Sequence, residues 1–284
     1  MEEGSQEMFF CPYCNASISR DSIYCPYCGK RVKPITYPSE IKGFAAFEEA
    51  ASIFGKNLSL CIPSLLGIII IFIFAFLLLS ALYLTYFESV EEAIRTGLIV
   101  GVLLATTGIF IFTFVEGWIS AASSNAIQME DAKLGSSLDL MFRKFLKLIG
   151  AVLINILLIS PLILWLLLTP VDIILKFGIS TYFGILLSLL GALIRTLFMF
   201  LVPLLIVTEL PFLPSIVKSI KLTVKTTVTD PIFTLSITFY FLLATLIDLV
   251  PVIGSLLELF LTLFIYPITV LARVLYLKVN FSVF

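Results

Sequence analysis

No histidine occurs in this 284-residue sequence. That absence removes the commonest general base, the commonest ligand of catalytic zinc and the usual axial ligand of haem. Charge is scarce too: Asp, Glu, Lys and Arg make up 13% of the residues, against about 25% in an ordinary soluble domain. With a formal net charge of −1 the whole molecule has no one-signed field to recruit nucleic acid, so only the placement of its charges can inform. A GxSxG nucleophile elbow, a phosphate-binding glycine loop and a GxGD-type aspartate are all missing, which leaves no visible active site. The opening MEEGSQEM runs straight into a cysteine segment and is not read as a signal peptide.

What is present is apolar. Hydrophobic residues make up 60% of the sequence, beyond the roughly 45–50% of a soluble globular chain and too many for one soluble core.

Four of the five cysteines fall in the first 28 residues as two CxxC pairs, Cys11-Pro12-Tyr13-Cys14 and, ten residues later, Cys25-Pro26-Tyr27-Cys28. Each pair turns tightly enough to aim both sulfurs at one ion, and two such turns make a tetrahedral four-thiolate site. Proline after the first cysteine presets the turn, and Gly29 after the last permits the positive φ that bends the chain back. Asn15 holds the matching place in the first pair, and asparagine best tolerates that conformation after glycine. About 25 residues cannot bury enough apolar surface to fold alone, whereas structural zinc contributes on the order of 10–16 kcal/mol to such peptides. The reading is therefore structural zinc on Cys11, Cys14, Cys25 and Cys28. Two disulfides or a rubredoxin-type iron are the alternatives; the first needs an oxidising compartment and the second a larger apolar shell. The knuckles resemble the zinc-ribbon modules at the ends of many prokaryotic proteins, over residues 8 to 32. Lys30, Arg31 and Lys33 follow, read as a solvated ribbon exit, with contact to anionic headgroups or RNA as the alternative. The domain division is thus a ribbon at 1–33, a linker with Pro34 and Pro38 at 34–38, and a membrane domain at 39–284.

Apolar runs of ~20 residues cross a hydrocarbon core of about 30 Å, and six are found, at about 60–86, 96–121, 148–169, 179–208, 231–250 and 253–277, interrupted only by Glu116, Arg195, Asp248, Glu258 and Arg273. All six read as helices, because lipid leaves no partner for an open backbone and barrel-type alternation is absent. Lys and Arg sort to one side: six in the amino-terminal region, four in the second loop, three in the fourth and two at the carboxyl end, against Arg95 and Lys176 opposite. This bias places both termini in the cytoplasm of a cell-membrane protein and the thiols in a reducing compartment. Tyr83, Tyr86, Phe87 and Trp165 fall at the expected outer border.

An amphipathic segment precedes each odd-numbered span. Its apolar positions are Ile41, Phe44, Phe47, Ala51, Phe54 and Leu58 in the first, Leu134, Leu138, Met141, Phe142 and Phe145 in the second, and Leu213, Ile216, Val217, Ile220 and Val224 in the third. Such helices lie in the interface with basic side chains reaching to headgroups. The even spans share a glycine followed by an aromatic cluster, Gly101 with Ile111-Phe112-Thr113-Phe114, Gly184 with Leu197-Phe198-Met199-Phe200, and Gly254 with Leu263-Phe264-Ile265-Tyr266. The chain thus reads as an all-α polytopic protein of three parallel repeats, 39–127, 131–209 and 211–279. With the third copy reading PSIVKSIKLTVKT, DLVPVIGSLL and VLARVLYLK, residues 39–279 resemble prokaryotic membrane families related to the membrane domain of glycerophosphodiester phosphodiesterases. The phosphodiesterase domain of those enzymes has no counterpart here, so the resemblance implies no catalysis.

Arg195 falls near the centre of its span, where an unpaired charge costs ~2.5 kcal/mol or more. Asp248 and Glu258 are its candidate partners, and Glu116 lies nearer the cytoplasmic side. Pro161, Pro203 and Pro267 read as kinks, Gly184 and Gly191 as close-packing positions, and Cys61 as a small apolar residue. The first functional expectation is a non-enzymatic adaptor or assembly and regulatory factor that displays the ribbon to a cytoplasmic protein, or less favourably to nucleic acid. The second is a transporter or lipid-handling protein centred on Arg195, Asp248 and Glu258.

Overall fold

The computed structural model describes residues 8–19, 22–33, 37–83, 89–168, 189–247 and 253–282. Tyr86, Phe87, Gly184 and Asp248 lie outside them, as does the start of the span expected at 179–208.

The amino-terminal module is built on an antiparallel pair, β1 (Met8–Phe10) and β2 (Ser17–Ser19), with Phe9 opposite Ile18. Two knuckles with one hydrogen-bond pattern carry the cysteines. Cys11 N–H donates to the Ala16 carbonyl and Asn15 N–H to the Cys11 carbonyl; Cys25 N–H donates to Lys30 and Gly29 N–H to Cys25, all at 2.8–2.9 Å. Asn15 (φ 57°) and Gly29 (φ 71°) take the left-handed conformation expected of them.

The remainder is helical. Segment α1 (Ala45–Lys56) leads through a 3₁₀ turn into α2 (Cys61–Tyr83), then α3 (Val90–Met129), α4 (Leu134–Arg143) and α5 (Phe145–Leu168). Residues 189–197 are helical, turn at 198–200, and continue as α6 (Leu201–Val207). Three more helices follow: α7 (Phe212–Thr229), α8 (Pro231–Ile247) and α9 (Ile253–Phe260). A π-turn at Leu261–Ile265 joins the last of these to α10 (Tyr266–Phe281).

Among the described residues, four helical stretches are long and apolar enough to cross a membrane, Leu58–Tyr83, Glu91–Met129, Leu189–Val207 and Leu257–Phe281; a fifth counts if the bent pair α7–α8 is one span. Six were expected. Of the other two, the run at 148–169 falls on α5 (Phe145–Leu168), and the run at 231–250 on α8, bent 116° from α7. On α2 the residues Phe72, Phe76 and Leu77 are well over half exposed; such a surface is stable only where lipid replaces water.

At 40 residues α3 is about 60 Å long, twice the hydrocarbon thickness, so part of it stands clear of the hydrocarbon. Ser89 caps its start by accepting from the Glu92 N–H at 3.2 Å, with Glu91 and Glu92 in the favourable first turn. This helix touches α2, α4, α5, α6 and α10. Against α2 the approach is close enough that a Cβ on Gly67 would lie 2.6 Å from the Val115 Cγ2.

The core centres on α10, where Val270, Leu271, Ala272, Val274, Leu275 and Leu277 are fully buried. It packs on α1 through Ala46, Ala50, Ile53 and Phe54. The stripe expected on α1 is therefore divided: Phe54 points inward while Phe44 and Leu58 are exposed, because two alanines let the backbones approach more closely than phenylalanines could. The ends of the membrane domain are tied by Asn280, which accepts from the Ile41 N–H at 2.9 Å and donates to its carbonyl at 2.7 Å.

Candidate metal centre and buried ion pair

The four knuckle sulfurs lie within 4.8 Å of one another. Cys11 Sγ is 3.8 Å from Cys28 Sγ, and Cys14 Sγ is 3.6 Å from Cys25 Sγ. Corners of a tetrahedron around zinc, at Zn–S of about 2.3 Å, are about 3.8 Å apart, whereas a disulfide needs about 2.05 Å. The donor set therefore fits zinc with all four thiols free. Burial raises the Cys11 thiol, but the Tyr13 and Cys14 backbone and the neighbouring thiols outweigh it and bring it to about 7. At Cys14 a bond from the Ala16 backbone is outweighed by burial and by the other thiols, which push it up to about 12. One thiolate thus opposes the next, a conflict that a dication at the centre of the four removes. Cys11, Cys25 and Ile18 form the module's small core, with Phe9, Tyr13 and Val32 against it.

The module is held to the helices by the loop that ends α3. Glu130 accepts from the Tyr24 hydroxyl at 3.0 Å and from Arg31 Nη1 at 3.1 Å, with Lys56 at 3.9 Å. Lys133 donates to the Tyr13 hydroxyl at 3.2 Å and lies 4.5 Å from that ring's centroid. Glu130 (φ 60°) and Lys133 (φ 43°) both occupy the left-handed region, which costs non-glycine residues and occurs where the surroundings over-determine the backbone. Asn57 fixes the same loop by accepting from the Ala132 N–H at 3.0 Å. Between module and loop is a cleft of about 180 Å³ lined by Tyr13, Tyr24, Lys30, Arg31, Glu130 and Asp131.

A second polar constellation lies inside the bundle. Arg273 is 1% exposed and its Nη1 lies 2.6 Å from Glu116 Oε1. The same Nη1 donates to the Met199 carbonyl at 2.9 Å, Nε donates to the Thr269 carbonyl at 3.2 Å, and the Tyr266 hydroxyl donates to Glu116 at 3.2 Å. The sequence explains why the Met199 carbonyl is available: its helical donor would be residue 203, which is proline and has no N–H. The π-turn before Tyr266 and Pro267 is the matching irregularity on the other helix.

Of the charges expected within the membrane, Glu116 is thus joined to Arg273. Arg195 is exposed on the 189–197 helix and Glu258 is half-buried on α9. Arg273 is not among the sequence-predicted site residues, because the sequence places it at the cytoplasmic end. The usable signal was that Glu116 is the lone acid of its span, which calls for a cation on another helix. Glu130 and Lys133 carried no sequence signal, since their role depends on the fold.

A zinc-ribbon domain family matches residues 10–32. No curated protein and no solved structure matches the chain. The chain therefore carries a four-cysteine zinc ribbon joined to helices able to cross a membrane.

Proposed function

We propose that this protein is a non-enzymatic membrane adaptor that presents its zinc ribbon at the cytoplasmic face of the cell membrane. The observation that carries this reading is the clamp of Tyr24 and Arg31 on Glu130 and of Tyr13 on Lys133. A tag on a free linker needs no such fixed seat, whereas a ribbon that must face a partner in one orientation does. The outer knuckle surface keeps Phe10 (67%) and Tyr27 (72%) exposed, and aromatic residues are enriched at protein interfaces. The lysine and arginine bias supports cytoplasmic termini, six crossings and three parallel units, each an interfacial helix followed by two spans. Resemblance to the membrane domain of glycerophosphodiester phosphodiesterases belongs to this same reading.

The test is quantitative affinity purification of the membrane-extracted protein. Changing Phe10 and Tyr27 to serine should remove the specific partners while zinc remains bound, and the four-cysteine-to-serine variant should remove them as well. Partners retained by both variants contradict the proposal.

A second reading, transport or lipid handling, is favoured by Arg195, a cation carried by the apolar stretch Leu189–Val207. It expects Arg195→Leu to abolish flux or lipid binding with unfolding midpoint unchanged; unaltered flux contradicts it.

A further inference from the structure

We propose that α7 seats an anionic phospholipid, with the phosphate between Lys218 and Lys221 and the acyl chains along Leu213, Pro214 and Val217. The inference stands independently of the ribbon and its partner.

The helix is turned inside out relative to a helix on a soluble protein. Its buried face consists of Ser215, Ser219, Thr223 and Thr226, each no more than 4% exposed and spaced by four, four and three residues. These small hydroxyl residues pack on α6 and α8. Four of its aliphatic residues face outward, Leu213 (71% exposed), Val217 (53%), Val224 (54%) and Val228 (78%), while Ile216 and Leu222 pack inward. A row of bare aliphatics along four turns is stable against acyl chains and costly against water.

The orientation agrees. The axis turns by 116° between α7 and α8. Asp230 holds that corner: Oδ1 accepts from the Phe233 N–H at 3.1 Å to cap α8, and Oδ2 from the Gly43 N–H at 2.7 Å. With the apolar α8 directed across the bilayer, α7 runs close to the plane of the headgroups.

Charge selects the headgroup. No acid occurs in residues 212–229, which contain Lys218, Lys221 and Lys225. On the other two amphipathic segments the corresponding cations are already matched, Arg143 to Asp139 at 2.7 Å and Lys42 to Glu40 at 2.9 Å. Lys225 lies over the Phe281 ring at 5.2 Å, which leaves Lys218 and Lys221 for an outside anion. They are three residues apart and so neighbours on the helix surface. With Leu213, Pro214 and Val217 they form one continuous open surface on α7, apolar at one end and cationic at the other.

The experiment is native mass spectrometry of the intact, detergent-extracted protein titrated with phosphatidylglycerol or with phosphatidylcholine of the same chains. The wild type should retain phosphatidylglycerol about tenfold better than phosphatidylcholine, the scale expected of two lysines at an anionic headgroup. Lys218→Gln with Lys221→Gln should abolish the preference, the arginine pair should restore it, and Lys42→Gln with Arg143→Gln should leave it unchanged. Zinc content and unfolding midpoint, measured on every variant, should stay at wild-type values. Equal retention of the two lipids by wild type overturns the proposal, as does a preference that survives the glutamine pair. Displacement by millimolar inorganic phosphate overturns it too, because it would make the ligand a free phosphate.

Discussion

The ribbon and the bundle meet the same difficulty, burying enough surface to stay ordered, by opposite routes. In the ribbon Cys11, Ile18 and Cys25 are the buried hydrophobic positions, and its order depends on sulfurs around an ion. Apolar surface is abundant in the bundle, which leaves much of α2 uncovered because lipid solvates it. There the organising element is the opposite of greasy: a guanidinium 1% exposed that pairs with a carboxylate and donates to two backbone carbonyls, the carboxylate also accepting from a tyrosine. The ribbon shows chemistry standing in for a core, and the bundle shows a core arranged around a small amount of chemistry.

The largest effect expected from breaking this contrast is on the ribbon. Cys11→Ser with Cys25→Ser removes two ligands and should forfeit most of the roughly 10–16 kcal/mol that structural zinc supplies. Amide exchange should rise to unprotected rates over residues 8–33 while helical circular dichroism stays near wild type. A ribbon that keeps its protection without metal contradicts the account.

Next in size is the ion pair. Arg273→Met leaves Glu116 with no cation and should cost about 3–5 kcal/mol, and adding Glu116→Gln should recover much of that loss. Thermal unfolding in detergent reads both, and additive losses in the double variant would show that the two side chains do not act as a pair.

Much of this was legible in the sequence, for reasons particular residues make plain. Four cysteines at CxxC spacing specify their geometry locally, and Asn15 and Gly29 announce the turns that follow them, so the metal site needed no tertiary information. The apolar runs announced helices in lipid for a similar reason, since hydropathy is additive along the chain. Contacts between helices are not local, and there the sequence is silent. Arg195 lies mid-span and is exposed, whereas Arg273 is buried and draws its partners from α3 and from the turn before α6. Pro203, a kink by sequence, follows the turn at 198–200, and its missing N–H also frees the Met199 carbonyl for that arginine. On α7 the periodicity marks apolar positions, but the buried hydroxyl seam of Ser215, Ser219, Thr223 and Thr226 carries no comparable signal in the sequence.

Smaller effects sharpen the comparison. Gly67→Ala places a methyl 2.6 Å from the Val115 Cγ2 and should cost about 1–3 kcal/mol by overpacking, visible as a lowered midpoint with the ribbon unaffected. Glu130→Gln should leave zinc bound and the bundle intact, at a cost of about 1 kcal/mol or less for surface pairs, yet raise exchange at Tyr13 and Tyr24. Unchanged exchange would mean that the clamp does not hold the ribbon.

The smallest concerns Glu209, whose carboxyl is held below its ordinary value by the hydrogen bond and charge of Lys144, 2.6 Å away, and more weakly by Lys147. A lowered carboxyl contributes above its unfolded value and loses that contribution as pH falls through the lower folded value. The thermal midpoint should therefore be flat from neutral pH to about pH 5 and decline slightly below the carboxylate range. Glu209→Gln should remove that decline.

The most direct test of the central claim, a metal-clamped ribbon on a lipid-embedded bundle, is elemental analysis of the full chain solubilised from membranes under reducing conditions. The account expects one zinc per chain in the detergent-solubilised fraction and none when the four ribbon cysteines are serine. Protein recovered without detergent, or recovered free of zinc with its thiols reduced, would contradict it.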